Sequence, residues 1–173
     1  MFTQTRGQQQ PGYGPSGLND AQHRDGRNAR KAVDWLDKKS FGEKPFFITV
    51  GIHKPHVPFI APQKYFDLYP QQKLQFDLSP ANDWDDIPPM AMVKRFGGFG
   101  FELGRENDAL RREYTQAYHA CVSFVDAQIG LILDKLKAQK LWNDTIVIFT
   151  SDHGYHLGEH FMWGKVTLFE ECA

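Results

Sequence analysis

The chain has 173 residues, 41% hydrophobic and 14% aromatic, which is enough to bury one globular core and makes a single domain the default expectation. A formal net charge of −1 without long basic runs gives no electrostatic reason to expect a nucleic-acid partner. No apolar run approaches the roughly 20 residues of a membrane-spanning helix, and residues 1–6 lack the apolar core of a signal peptide.

The first half of the chain predicts an irregular start, a helix and a strand. Residues 1–22 are rich in Gln, Gly, Pro and Ser and are predicted to be flexible or irregular, whereas residues 23–173 are predicted to form the folded domain. Between residues 25 and 39, apolar residues recur at helical spacing, which predicts an amphipathic helix. The apolar, β-rich run 45–52 predicts a buried strand.

The second half predicts an excursion, a long helix and another strand. Prolines interrupt residues 54–100, which favours an ordered irregular segment with a short helix at 63–69. Its acidic residues Asp83, Asp85 and Asp86 lack EF-hand spacing, so a metal role for them is not favoured. Residues 108–139 predict a long helix that packs Cys121 as a small apolar residue, and 145–150 predict a second buried strand. This order is typical of a parallel α/β unit.

Polar residues follow both predicted strands. His53 and Lys54 follow the first strand, whereas Asp152 and His153, and then Lys165, follow the second. Ligand sites of open α/β sheets lie at the carboxyl ends of their strands. If the two strands are parallel in one sheet, we expect both groups to face the same crevice.

The residue types allow a metal and an anion at this place, with a structural alternative for each. Asp152 and His153 can both reach a metal at a strand end, or Asp152 can cap the next helix; imidazole softness by itself favours zinc over calcium. Lys165 supplies a compact positive charge for a tetrahedral anion, or is a solvated lysine. His53 can donate a proton to a leaving group or bind an anion, with Lys54 adding charge, or is structural. His156, by its spacing alone, is more typical of a supporting or surface residue.

Two long segments closely resemble the sulfatase family, in the branch of iduronate-2-sulfatase and choline-sulfatase-like enzymes. They are residues 45–66, with the sequence PFFITVGIHKPHVPFIAPQKYF, and residues 150–169, with the sequence TSDHGYHLGEHFMWGKVTLF. The resemblance implies an α/β fold in which an alkaline-phosphatase-like, mostly parallel sheet is flanked by helices, and of which this chain holds an incomplete domain. It also implies a sulfuric ester hydrolase acting on a sulfated small molecule or glycan.

The resemblance also implies roles for individual residues. Asp152 and His153 would bind a metal ion, with calcium as the first choice and zinc as the second. His53 and Lys165 would act on the sulfate group and its leaving oxygen, and Lys54 and His156 would contact the substrate. By analogy, such enzymes are periplasmic, secreted or lysosomal, which assigns no compartment to this chain.

The family's formylglycine nucleophile, made from the cysteine of a Cys-x-Pro-Ser-Arg motif, has no counterpart in this sequence. Cys121 is followed by Val-Ser-Phe and Cys172 by Ala173. The resemblance therefore implies an internal fragment of a sulfatase that is inactive by itself. Two alternatives stay open: a zinc phosphodiesterase or phosphatase of the same superfamily, and a non-catalytic homologue that binds protein or glycan through residues 54–100.

Overall fold

The computed structural model describes residues 12–39, 41–75, 79–91 and 108–172. These residues form two compact units, each assembled from separate stretches of the chain. Among the described residues, the helical unit comprises 13–39, 41–69 and 117–148, and the hairpin unit comprises Gly12, 70–75, 79–91, 108–116 and 149–172. The elements in chain order are β1 (Tyr13–Ser16), α1 (Arg24–Asp37), β2 (Phe59–Pro62), α2 (Gln63–Phe66), α3 (Asp108–Ala138), β3 (His156–Leu157) and β4 (Trp163–Gly164).

The helical unit combines a parallel strand pair with helices, in agreement with the predicted α/β class. Strand β1 pairs with β2 in parallel, with Tyr13 opposite Phe59 and Ser16 opposite Pro62. Apolar residues three and four apart bury one face of α1, and the same spacing recurs in the part of α3 that belongs to this unit. Buried side chains with this spacing include Ala29, Ala32 and Leu36 in α1, and Ala117, Cys121, Phe124 and Gln128 in α3. The helices predicted at 25–39 and 108–139 are thus confirmed within two residues at each end.

A glycine in the first turn of α1 allows the preceding turn, Asp20–Gln22, to approach the helix closely. A Cβ atom on Gly26 would lie 1.8 Å from the backbone oxygen of Asp20, which is far inside van der Waals contact. This approach brings the Asp20 carboxylate to Lys64, Tyr65 and Gln128, whose donors lie 2.9, 2.7 and 3.3 Å from its Oδ2. One carboxylate therefore ties the turn to both α2 and α3.

The hairpin unit contains a short antiparallel pair. Strand β3 pairs with β4, with His156 opposite Gly164 and Leu157 opposite Trp163. Trp163 and Tyr114 are almost fully buried, and their ring centroids lie 6.4 Å apart. The turn between the strands contains Gly158 at a φ of 122°, a conformation that favours glycine.

The two runs predicted as buried strands are not paired strands, so these predictions were wrong for the described residues. Residues 45–52 and 145–150 belong to neither helix nor ladder. Burial alternates along 46–52 in the way of a strand, but Phe47 is 94% exposed, and in the second run Ile146 is 90% exposed. A strand exists only where a neighbour supplies ladder hydrogen bonds, and no described segment does so here.

The irregular segment predicted at 1–22 is also wrong in part. Residues 1–11 lie outside the described part of the chain, but Tyr13–Ser16 is strand β1 and Asp20–Gln22 is a 3-10 turn. Proline and glycine are tolerated in β1 because it is a short edge strand. Ser16 is buried, and its hydroxyl lies 2.7 Å from Nε2 of His23. The helical unit accordingly runs through the predicted boundary at residue 22.

No helix in the four described stretches is both long and apolar enough to span a membrane.

Candidate active site

The first predicted group lies in the helical unit, in a loop of residues 53–58 that we call the His-Lys loop. Its start is held by Asp25, a carboxylate in the first turn of α1 that is only 2% exposed. The backbone N–H of His53 donates to Oδ1 of Asp25 at 2.9 Å, and that of Lys54 donates to Oδ2 at 2.8 Å. Asn28, one turn along α1, donates from Nδ2 to the carbonyl oxygen of Gly51 at 3.0 Å. Helix α1 therefore fixes the main chain that carries His53.

The Lys54 ammonium folds back on its own loop. It donates to the carbonyl oxygens of His56, at 3.1 Å, and of Pro58. Burial lowers the pKa of Lys54, an effect that the charge of Asp25 opposes. In this conformation Lys54 stabilises the loop, and its predicted contact with substrate stays a prediction.

His53 is an exposed residue of the loop. Its ring centroid lies 4.8 Å from that of His56, and its backbone is held by the Asp25 carboxylate. Desolvation lowers the pKa of His53, as do the neighbouring His56 and Lys54, whereas Asp25 acts in the opposite direction. A ring that is accessible and held on rigid backbone is suited to proton transfer.

The second predicted group lies in the hairpin unit, where three of its members meet. The Nε2 atom of His153 lies 3.0 Å from Nζ of Lys165 and 3.8 Å from Oδ2 of Asp152. The β3–β4 pairing explains this contact. Because His156 pairs with Gly164, the residues before β3 lie close to the residues after β4. We call Asp152, His153 and Lys165 the Asp-His-Lys cluster.

A tight turn supports this cluster. A Cβ on Gly154 would lie 2.0 Å from the backbone oxygen of Glu171, so glycine is needed for the close approach. The Gly154 carbonyl oxygen lies 2.7 Å from Nδ1 of His153. A carbonyl only accepts, so Nδ1 donates to it, and Nε2 accepts from the Lys165 ammonium.

The side chains of Asp152 and His153 could supply part of the ligand set of a metal ion. Metal-binding imidazoles commonly donate their second N–H to a backbone carbonyl, as His153 does. The Asp152 carboxylate is 89% exposed and free to take a cation. Calcium takes about six to eight oxygens, and the described stretches of chain contain no group of three or more candidate ligands. Asp152 and His153 are thus suitable as two ligands, and further ligands are required.

His156, predicted to contact substrate, lies in the interior of the hairpin unit. Its side chain is fully buried, with Nε2 2.9 Å from the Thr167 hydroxyl and the ring edge-on to Phe169. Burial lowers the pKa of His156, and the charges of Glu159 and Glu171 oppose this. In this conformation the ring links β3 to the segment after Lys165, and a role in substrate binding stays a prediction.

Neither cysteine fits a reactive nucleophile. Cys121 is completely buried, and burial raises the pKa of its thiol to about 12, although Lys54 partly opposes this. This confirms that Cys121 packs as a small apolar residue. Cys172 is buried as well, and its thiol donates to the Gly164 carbonyl oxygen at 3.6 Å. No catalytic step can be assigned to either sulfur.

Two supporting residues were not found by sequence reasoning. Asp25 was placed only at the start of a predicted helix. An acidic residue is common in a first turn, so it does not by itself indicate another role. His160 was given no role from the sequence, and its Nδ1 lies 2.9 Å from Oδ2 of Asp83. Asp83 was considered as a weak metal candidate, and in the structure it binds this histidine.

The comparisons with known proteins agree with these motifs. A family model described as Sulfatase matches residues 2–171. The chain is 38% identical over 149 residues to a sulfatase of Formosa agariphila, covering 83% of this chain and 29% of that protein. It is 35% identical over 156 residues to human iduronate 2-sulfatase (84% of this chain, 28% of that protein). It is 32% identical over 133 residues to a choline-sulfatase of Rhizobium meliloti (75% and 25%).

A solved structure shows the same fold. The crystal structure of yidJ from Bacteroides fragilis superposes with a TM-score of 0.60 at 28% identity, over 84% of this chain and 28% of that one. The chain belongs to the sulfatase family, which confirms the resemblance drawn from residues 45–66 and 150–169. It spans less than a third of the length of each of these relatives.

Proposed function

We propose that the complete polypeptide carrying this chain is a sulfatase that hydrolyses sulfate esters, most simply those of sulfated carbohydrates. The observation that carries the proposal is the Asp-His-Lys cluster, in which Nε2 of His153 lies 3.0 Å from the Lys165 ammonium and 3.8 Å from the exposed Asp152 carboxylate. Membership of the sulfatase family supports the reaction class. Iduronate 2-sulfatase among the relatives supports a glycan substrate.

In this proposal Asp152 and His153 bind a cation, and Lys165 binds the sulfate group. Asp152 and His153 would hold a calcium ion, which when bound supplies positive charge to the sulfate oxygens. Lys165 directs its ammonium to a sulfate oxygen and stabilises the charge that develops there. The distance of 3.0 Å between Lys165 Nζ and His153 Nε2 supports this division, because it places the ammonium beside the ring nitrogen that would bind the cation.

The His53 imidazole would deliver a proton to the leaving oxygen. The residue is exposed, and Asp25 fixes the main chain that carries it. Desolvation lowers its pKa, which makes proton release easier.

A nucleophile attacking sulfur must come from residues other than Cys121 and Cys172. Both thiols are buried, and Cys121 is followed by Val-Ser-Phe rather than by x-Pro-Ser-Arg. We therefore expect the 173-residue chain to show no turnover of an aryl sulfate. Turnover by this chain, purified by itself, would contradict this part of the proposal.

The test is hydrolysis of an aryl sulfate by the complete polypeptide, with and without calcium. Lys165→Ala should lower kcat/KM by about 100-fold to 1,000-fold, the usual cost of removing a group that stabilises transition-state charge. Lys73→Ala removes an exposed lysine of the same unit and should leave kcat/KM unchanged. Faster hydrolysis of phosphate diesters than of sulfate esters, with stoichiometric zinc, would overturn the proposal in favour of a phosphodiesterase.

A further inference from the structure

Asp25 makes an unusual pair of contacts for the carboxylate of a helix first turn. Its two oxygens do not cap α1; each accepts one of two consecutive backbone N–H groups from residues 28 and 29 positions further along the chain. The side chain is 2% exposed, so water does not compete for these hydrogen bonds. A carboxylate accepts from both N–H groups at once, whereas an asparagine of the same shape has only one acceptor oxygen.

These two N–H groups belong to the residues where the His-Lys loop begins. The direction of the main chain at residue 53 sets the position of the His53 Cβ and the range of positions open to its ring. Asn28 holds the carbonyl of Gly51 just before this point, and Lys54 holds the carbonyls of His56 and Pro58 after it. The segment is therefore fixed on both sides of His53, and the charged contact at its centre is Asp25.

We propose that Asp25, with Asn28 beside it, is the positioning residue for His53: its carboxylate fixes the main chain of residues 53 and 54 and so places the imidazole for the reaction. This inference rests on the proposed function, because it takes His53 as the proton donor. Asp25 itself touches neither substrate nor reacting atoms in this account. The effect is on the position of the imidazole, and a displacement of a reacting group by about 1 Å is enough to lower the reaction rate about 100-fold.

The first test is a double-mutant cycle in the complete polypeptide. Asp25→Asn should lower kcat for an aryl sulfate by about 100-fold, with a much smaller change in KM. In a His53→Ala background, Asp25→Asn should cause little further loss, because two residues that act through one group are not additive. Asp34→Asn changes an exposed carboxylate of the same helix and should leave kcat unchanged. Additive losses, or wild-type kcat in Asp25→Asn, would overturn the inference.

The second test does not depend on activity. In the 173-residue chain, the amide protons of His53 and Lys54 should exchange slowly, and Asp25→Asn should remove this protection while Asp34→Asn keeps it. If Asp25→Asn does not fold, Asn28→Ala should give a smaller loss of kcat that again disappears in the His53→Ala background. An inactive wild-type polypeptide would contradict the proposed function alone. Unchanged amide protection in Asp25→Asn would defeat the inference whatever the activity.

Discussion

At the scale of the residue, the Asp20 carboxylate joins the 3-10 turn of the helical unit to two helices. Its Oδ2 accepts from Lys64, Tyr65 and Gln128. Asp20→Ala leaves the Tyr65 hydroxyl and the Gln128 amide without this acceptor, and should reduce the free energy of unfolding by about 3 kcal/mol, measured by urea denaturation. Asp37→Ala, which removes a carboxylate bound to Lys135 at the surface, should cost clearly less. Equal losses would contradict this account.

The same carboxylate has a defined pH dependence. Burial by itself would raise the pKa of Asp20, but the hydrogen bonds from Lys64, Tyr65 and Gln128 lower it below 3.8 in total. A pKa that is lower in the folded state means that the stabilisation is complete above about pH 4 and is lost as the pH falls through the folded value. Asp20→Ala should therefore weaken the dependence of stability on pH below pH 4.

Single residues also show what sequence reasoning could and could not reach. Asp152, His153 and Lys165 were predicted to act together, and the structure brings them into contact because a short hairpin joins them. Asp25 was missed, because its partners are two main-chain N–H groups far along the chain, and backbone groups carry no signal in a sequence. The burial of His156 was missed for a related reason: its partner Thr167 lies across the hairpin.

At the scale of the element, two glycines in helices should respond oppositely to alanine. Gly130 in α3 has open space where a Cβ would be, so Gly130→Ala should stabilise the chain by about 0.5–1 kcal/mol. A Cβ on Gly26 in α1 would collide with the Asp20 backbone oxygen, so Gly26→Ala should destabilise it. Thermal unfolding of the two variants measures both changes in stability. A stabilising Gly26→Ala would show that the Asp20–Gln22 turn does not pack as described.

Helices were predicted well and strands poorly, for a physical reason. The periodicity that defines α1 and α3 is local, and a helix satisfies its own hydrogen bonds. A strand needs a neighbour, so the apolar composition of 45–52 and 145–150 could indicate β-structure without showing what would pair with it. Strands β1 and β2 were not predicted because they contain Gly and Pro, yet in the structure they pair with each other in parallel.

At the scale of the whole molecule, several histidines make stability sensitive to mild acid. Burial lowers the pKa of His23, His53, His119 and His156 below the ordinary value of 6.5. Because the folded pKa is the lower one, protonation favours the unfolded chain; the stabilisation is complete above about pH 6.5 and falls as the pH drops toward the folded values. The thermal midpoint should therefore fall between pH 7.5 and pH 5.

A single variant checks this dependence. Burial is the only cause of the lowered pKa of His119, so His119→Gln should reduce the change in thermal midpoint between pH 7.5 and pH 5. Substituting the exposed Lys73 by Gln should leave that change as it is. A midpoint that rises on acidification would contradict the assignment of these histidines as neutral groups in the folded chain.

The central claim is that the Asp-His-Lys cluster binds the sulfate group, and a structure of the complete polypeptide with bound sulfate tests it most directly. We expect a sulfate oxygen within about 3 Å of Lys165 Nζ, which is ordinary hydrogen-bond distance. Sulfate bound away from Asp152, His153 and Lys165 would contradict the account.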